Sequence, residues 1–189
     1  MSDEPISRLP VPDEAGLPED IRELFARSRE KPGFVPNVFR ALSLRPEVLR
    51  GFVALYDALM AAEGGLSKAE RELIAVAVSA HNHCHYCLVS HGAVLRVRAK
   101  DARLADTVAA NYRAAPLTPR QRAMLDYALK VTTASAEVGH EDHGALRAHG
   151  LSDEEIFDVT QIAAFFNYSN RAASAMGMRP NDEFYTMAR

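Results

Sequence analysis

Three times along this chain a side-chain oxygen stands three residues ahead of a Glu or Gln, and each time a run of apolar residues at helical spacing follows. Ser67 with Glu70, Thr118 with Gln121 and Ser152 with Glu155 each let two side chains satisfy two amides that a helix start otherwise leaves unpaired. Pro119 falls in the first turn of the second, where a missing N–H is tolerated. Behind these boxes the apolar positions are 73–78, then Met124, Leu125, Tyr127, Ala128 and Val131, then Ile156, Val159, Ile162, Ala163, Phe165 and Phe166. No segment sustains the period-two alternation of a strand. The fold class is therefore predicted to be all-α, a helical bundle with short loops and antiparallel or ridge-and-groove packing.

The remaining helices follow from breakers and spacing. One opens at Leu17 and Pro18, carries Ile21, Leu24 and Phe25 as its stripe, and stops at Lys31, Pro32 and Gly33. Residues 36–42 form a short helix that Arg45 and Pro46 interrupt. From Pro46 the positions Val48, Leu49, Phe52, Val53, Leu55, Tyr56, Leu59 and Met60 keep helical spacing up to Gly64 and Gly65. Residues 100–112 and 142–149 are shorter candidates, the latter closed by Gly150. Residues 1–16 read as an extended lead-in, which leaves 17–189 as one domain. With 48% hydrophobic residues, that length can fill one core.

Charge narrows the partners. The 22 basic and 25 acidic residues are scattered without a block of either sign, so neither nucleic acid nor an anionic membrane is expected. The longest apolar run, 73–78, is far too short to cross a bilayer. The polar first residues, with Pro5, Pro10 and Pro12, lack the layout of a secretory signal, and a cytoplasmic location is expected. One internal echo stands out: 66–70 resembles 151–155, and at the same offset of 85 Asn82 falls on Asn167 and Cys84 on Ser169. A degenerate duplication and shared helix-cap grammar both explain it.

Residues 79–91 hold both cysteines, two residues apart, and four of the seven histidines. Such a pair forms a small-loop disulfide, supplies thiolates to a metal, or packs as two small hydrophobes. In a reducing compartment the structural staple is the least expected of these. On a helix Cys84, Cys87 and His91 share one face at i, i+3 and i+7, with the imidazole within reach of Cys87, and a histidine beside a thiol favours the thiolate. Asn82 and His83 are capping rather than interior residues, and a break there places Cys84 near a new helix start. Glu72 lies about 18 Å of helical rise from Cys84 if the helix is unbroken. It joins the site only if the chain turns near Asn82 or another subunit brings it in. The zinc alternative takes Cys84 and Cys87 with two of His81, His83, His85 and His91. His140, His143 and His149 are read as exposed polar residues.

With these residues in view, the chain resembles the alkylhydroperoxidase D-like branch of the carboxymuconolactone decarboxylase superfamily. The shared pattern is Glu72, eleven residues, Cys84-His85-Tyr86-Cys87, three residues, His91. Residues 33–37, 71–79 and 167–171 are similar to its peroxidase-related subgroup, and the resemblance spans most of the chain from about Pro32 onward. It implies an alkylhydroperoxidase D-like fold in which Cys87 attacks a small hydroperoxide and becomes a sulfenic acid, Cys84 resolves it to a disulfide, and His91 with Glu72 relays protons. It implies no prosthetic group and no metal, an external thiol reductant or thiol-reducing partner, and a homo-oligomer, whether trimer, hexamer or dimer. In alkylhydroperoxidase D itself a histidine precedes the second cysteine. Here Tyr86 holds that place, which implies a shorter relay, and His85, Tyr86 and Asn82 are candidate modulators. Lactone decarboxylation is not implied, because the decarboxylase members do not depend on this cysteine pair. Phe165, Phe166 and Tyr168 are read as core or as a subunit interface.

Overall fold

All three capping boxes close. Ser67 Oγ accepts the Glu70 amide at 3.2 Å while Glu70 Oε2 accepts the Ser67 amide at 2.9 Å. Thr118 with Gln121 and Ser152 with Glu155 repeat the exchange. Gly139 adds a half box that the sequence did not announce, its amide donating to Asp142 Oδ2.

The structure, a computed structural model, describes residues 4–189. Its helices are α1 (Glu19–Glu30), α2 (Asn37–Leu42), α3 (Pro46–Met60), α4 (Lys68–His81), α5 (His85–Ala99), α6 (Leu104–Asn111), α7 (Pro119–Thr133), α8 (His140–Ala148), α9 (Asp153–Met176) and α10 (Glu183–Thr186). No strand occurs among the described residues, so the chain is all-α. The hub is α4, whose residues from Arg71 to Ser79 are all buried. It is surrounded by α5, α6, α7 and α9, which is why its apolar run shows no polar face.

Several boundaries differ from the sequence reading. The helix read at 100–112 begins at Leu104, because Lys100 turns left-handed at φ 53° to end α5 and Asp101 Oδ1 accepts the Arg103 and Leu104 amides. The helix read from 142 starts at His140. A 3-10 turn at Glu14–Gly16 closes the lead-in, which is docked rather than free: Arg8 N donates to Met176 O and Arg179 N to Ile6 O. Phe165 and Phe166 lie in the core, whereas Tyr168 is half exposed.

The echo at offset 85 has a physical counterpart. Arg120 Nη2 lies 2.6 Å from Glu155 and its Nε 3.6 Å from Glu70, so one guanidinium bridges the two matching caps.

The C-terminal segment, which carried no sequence signal, is fastened across α2 and α5. Asn181 accepts the Asn37 amide and donates to Val35 O, while Arg96 donates to Phe184 O and Met187 O. Phe184 thereby packs edge-on against Phe34 at 4.9 Å.

Candidate active site

The chain does bend before Cys84. Asn82 ends α4, His83 adopts φ 53°, and Cys84, with φ −80° and ψ 98°, is the N-cap of α5. A left-handed non-glycine residue costs about 1–2 kcal/mol, which must be met by fixing the turn. Asn82 does this: its Nδ2 donates to Asn167 Oδ1 at 3.0 Å and Asn170 Oδ1 at 2.9 Å, and Asn170 donates in turn to Ser79 Oγ at 2.9 Å. The reversal lays α5 back along α4 and brings Glu72 Oε2 to 2.8 Å from His91 Nδ1. Both side chains are largely buried. With Nδ1–H donating to the carboxylate, Nε2 is the nitrogen free for chemistry. The His91 ring is held from the side by Phe166, edge-on at 4.6 Å.

Cys84 therefore caps the helix, and only Cys87 and His91 sit within it. The two sulfurs are 2.7 Å apart, both thiols are free, and both are buried. The two thiols share one hydrogen bond, and Cys84 Sγ also accepts the Cys87 amide at 3.4 Å. Those contacts hold Cys84 down at about 6, while the proton shared with Cys84, together with burial, pushes Cys87 well above the ordinary thiol range. The helix reading had assigned the stabilised thiolate to Cys87 through His91. In the structure the thiol held low is Cys84, through the Cys87 side chain first and the first-turn amide second, and among the described residues no hydrogen bond joins His91 to Cys87.

Reduced protein is expected to carry one thiolate that titrates with a midpoint near pH 6. Thiolate absorbance followed across pH checks this, and a signal confined to the alkaline side contradicts it. Folding lowers the Cys84 pKa from 9.0 to about 6, so the linked stability is complete above the unfolded value and is lost as pH falls through about 6.

Cys87, His91, Ser90 and Ser169 face a cavity of about 270 Å³ whose other walls are mainly apolar, among them Phe34, Phe39, Phe52, Tyr56, Val94 and Phe184. Tyr86 is buried, and its hydroxyl accepts the Val38 amide at 3.1 Å, tying α2 to α5. His85 lies at the surface, 3.0 Å from the Tyr185 hydroxyl. His81 and His83 are exposed. The zinc arrangement is not formed: His85 and His91 are turned to Tyr185 and Glu72, and among the described residues no three His, Cys, Asp or Glu side chains converge as a ligand set.

The carboxymuconolactone decarboxylase family matches residues 46–130. A peroxidase-related protein from Ralstonia eutropha JMP134, described as an alkylhydroperoxidase AhpD core, is 56% identical, with 98% of each chain covered and a TM-score of 0.97. The chain belongs to the AhpD-like branch of that family. A peroxidase-related protein from Silicibacter sp. TM1040 is 45% identical over the whole of both chains, with a TM-score of 0.94. The debrominase Bmp8, 17% identical with 97% of this chain and 95% of its own covered at a TM-score of 0.77, shares the fold. A search of curated proteins gave no match.

In this AhpD-like chain the sequence reading missed Ser169 on α9, which lines the same cavity as Cys87. The offset of 85 was the available signal, since it paired Asn82 with Asn167, which now share a hydrogen bond, and Cys84 with Ser169.

Proposed function

We propose that this AhpD-like protein is a thiol-dependent peroxide reductase whose oxidised form is a Cys84–Cys87 disulfide. One observation carries the reading: two free thiols 2.7 Å apart, one of them facing an apolar cavity beside a buried His–Glu pair. The Cys84 thiolate takes the Cys87 proton across that contact. Cys87 then attacks the terminal oxygen of ROOH; the S–O bond forms as the O–O bond breaks, leaving a sulfenic acid and RO⁻. His91, protonated and paired with Glu72, gives its proton to RO⁻ and releases ROH. The Cys84 thiol returns its proton to His91 and attacks the sulfenic sulfur. Hydroxide leaves and takes that proton as water. The sum is one ROOH and two thiols converted to ROH, water and a disulfide. An external thiol restores the pair through a mixed disulfide, without a prosthetic group.

The roles divide differently from a relay that activates Cys87 through His91. The base for Cys87 is its own partner, and the His91–Glu72 pair serves the leaving oxygen. Because the Tyr86 hydroxyl holds the Val38 amide, the relay ends at His91.

Intact-protein mass spectrometry after brief hydroperoxide treatment tests the proposal. Wild type is expected to lose the mass of two hydrogens. Cys84→Ser, which also lacks the base for Cys87, is expected to gain one oxygen more slowly, and dimedone is expected to label it at Cys87. Cys84→Ser protein whose Cys87 stays free to alkylate after prolonged treatment at alkaline pH, where the thiol ionises unaided, contradicts the mechanism.

A further inference from the structure

The apolar cavity beside Cys87 owes one wall to a part of the chain that no motif announces. Phe184, on α10, is 7% exposed and packs edge-on against Phe34 at 4.9 Å. With Ala93 of α5 these rings form one buried cluster, and the methyl of Ala93 adds little bulk to it. A second cavity, of about 200 Å³, is lined by Leu88, Val89, Gly92, Arg96 and Ala105 among others. Among the described residues Phe184 is the wall that the two cavities have in common. Its position is fixed from outside the first cavity: Arg96, 4% exposed, donates to Phe184 O at 2.8 Å and to Met187 O at 3.0 Å.

We propose that Phe184 is the specificity-determining residue of the site, limiting it to hydroperoxides whose carbon group is uncharged and compact, a single ring or a branched alkyl group, and that Arg96 is the positioning residue that holds Phe184 in place. The inference rests on the peroxide-reductase reading for its role in turnover, while the size limit can be measured without peroxide. No Asp, Glu, Lys or Arg lines the first cavity, so a charged carbon group would lose its water and gain no partner. At about 270 Å³ the space falls just below the range of about 300–1,000 Å³ that takes drug-sized ligands. A long linear chain would find its further room in the second cavity, and the Phe184 ring stands between.

The test compares kcat/KM for cumene hydroperoxide and decyl hydroperoxide with excess dithiol. Wild type is expected to prefer the first by about tenfold or more. Phe184→Ala is expected to raise the value for the decyl compound by about tenfold, mainly through KM, and Phe184→Leu, which keeps an apolar wall, to fall between. Arg96→Met is expected to shift the ratio the same way although Arg96 does not line the first cavity, and Arg96→Lys, which keeps a donor, to stay closer to wild type. A ratio that neither Phe184 variant moves overturns the specificity role, and one that Arg96→Met leaves unmoved overturns the positioning role. Calorimetry with the product alcohols reads the size limit alone: cumyl alcohol is expected to bind wild type, and decanol only Phe184→Ala. Equal decanol affinity for the two proteins overturns the limit. Wild-type protein that consumes neither hydroperoxide overturns the peroxide-reductase reading, and the alcohols then decide the size limit by themselves.

Discussion

Replacing Cys87 with Ser is expected to reduce hydroperoxide consumption, measured with excess dithiol, by at least about a thousandfold. The hydroxyl left at that position is a far weaker nucleophile than a thiolate, and the Cys84 sulfur is fully buried behind it. Cys84→Ser differs in kind. It keeps the sulfur that faces the cavity but loses its base, so it completes one attack slowly and stalls for want of a resolving thiol. Cys87→Ser protein with a normal melting temperature and retained turnover would remove Cys87 from the attacking role.

Arg71→Leu is expected to destabilise the fold by about 3–5 kcal/mol, since removing the buried Arg71 strands two carbonyls and the partly buried Asp158. Arg71 is 1% exposed, and its guanidinium donates to Leu59 O at 2.5 Å, to Leu66 O at 3.3 Å and to Asp158 Oδ2 at 2.9 Å. It thus ties the end of α3, the loop into α4 and the first turns of α9 to one point. Leucine fills part of the volume but leaves two carbonyls and a carboxylate without their donor. In a chain of this length the melting temperature should fall by about 10 °C or more. Arg71→Lys should recover only part of the loss, because an ammonium cannot reproduce the planar fork. A melting temperature within about 2 °C of wild type for Arg71→Leu would show that these bonds contribute little.

Local chemistry made much of the fold readable. The boxes at Ser67, Thr118 and Ser152 are written within four residues each, and the structure closes all three. The turn at Asn82 and His83 was legible for the same reason, as two poor helix formers between two helical runs. That turn decided whether Glu72 joined the site, and it brought Glu72 to His91.

What stayed hidden depends on partners far apart in sequence. Arg71 carried no signal of its burial, because its acceptor Asp158 lies 87 residues away. The cavity wall joins Phe34 to Phe184, and Arg96 holds the segment that carries Phe184. No periodicity announces a four-residue helix such as α10. The thiol held low is not the one beside His91, because Cys84 shares the Cys87 hydrogen bond and, as the N-cap, receives the Cys87 amide. Ser169, which the offset of 85 pairs with Cys84, lines the same cavity as Cys87.

The central claim is that the two thiols act as one redox unit. The direct measurement is a count of free thiols on denatured protein after one equivalent of an organic hydroperoxide is added to the fully reduced chain. Cys84 and Cys87 should both be consumed together, with one alcohol formed per chain, and dithiol treatment should restore both. Two free thiols remaining beside unreacted hydroperoxide would contradict it.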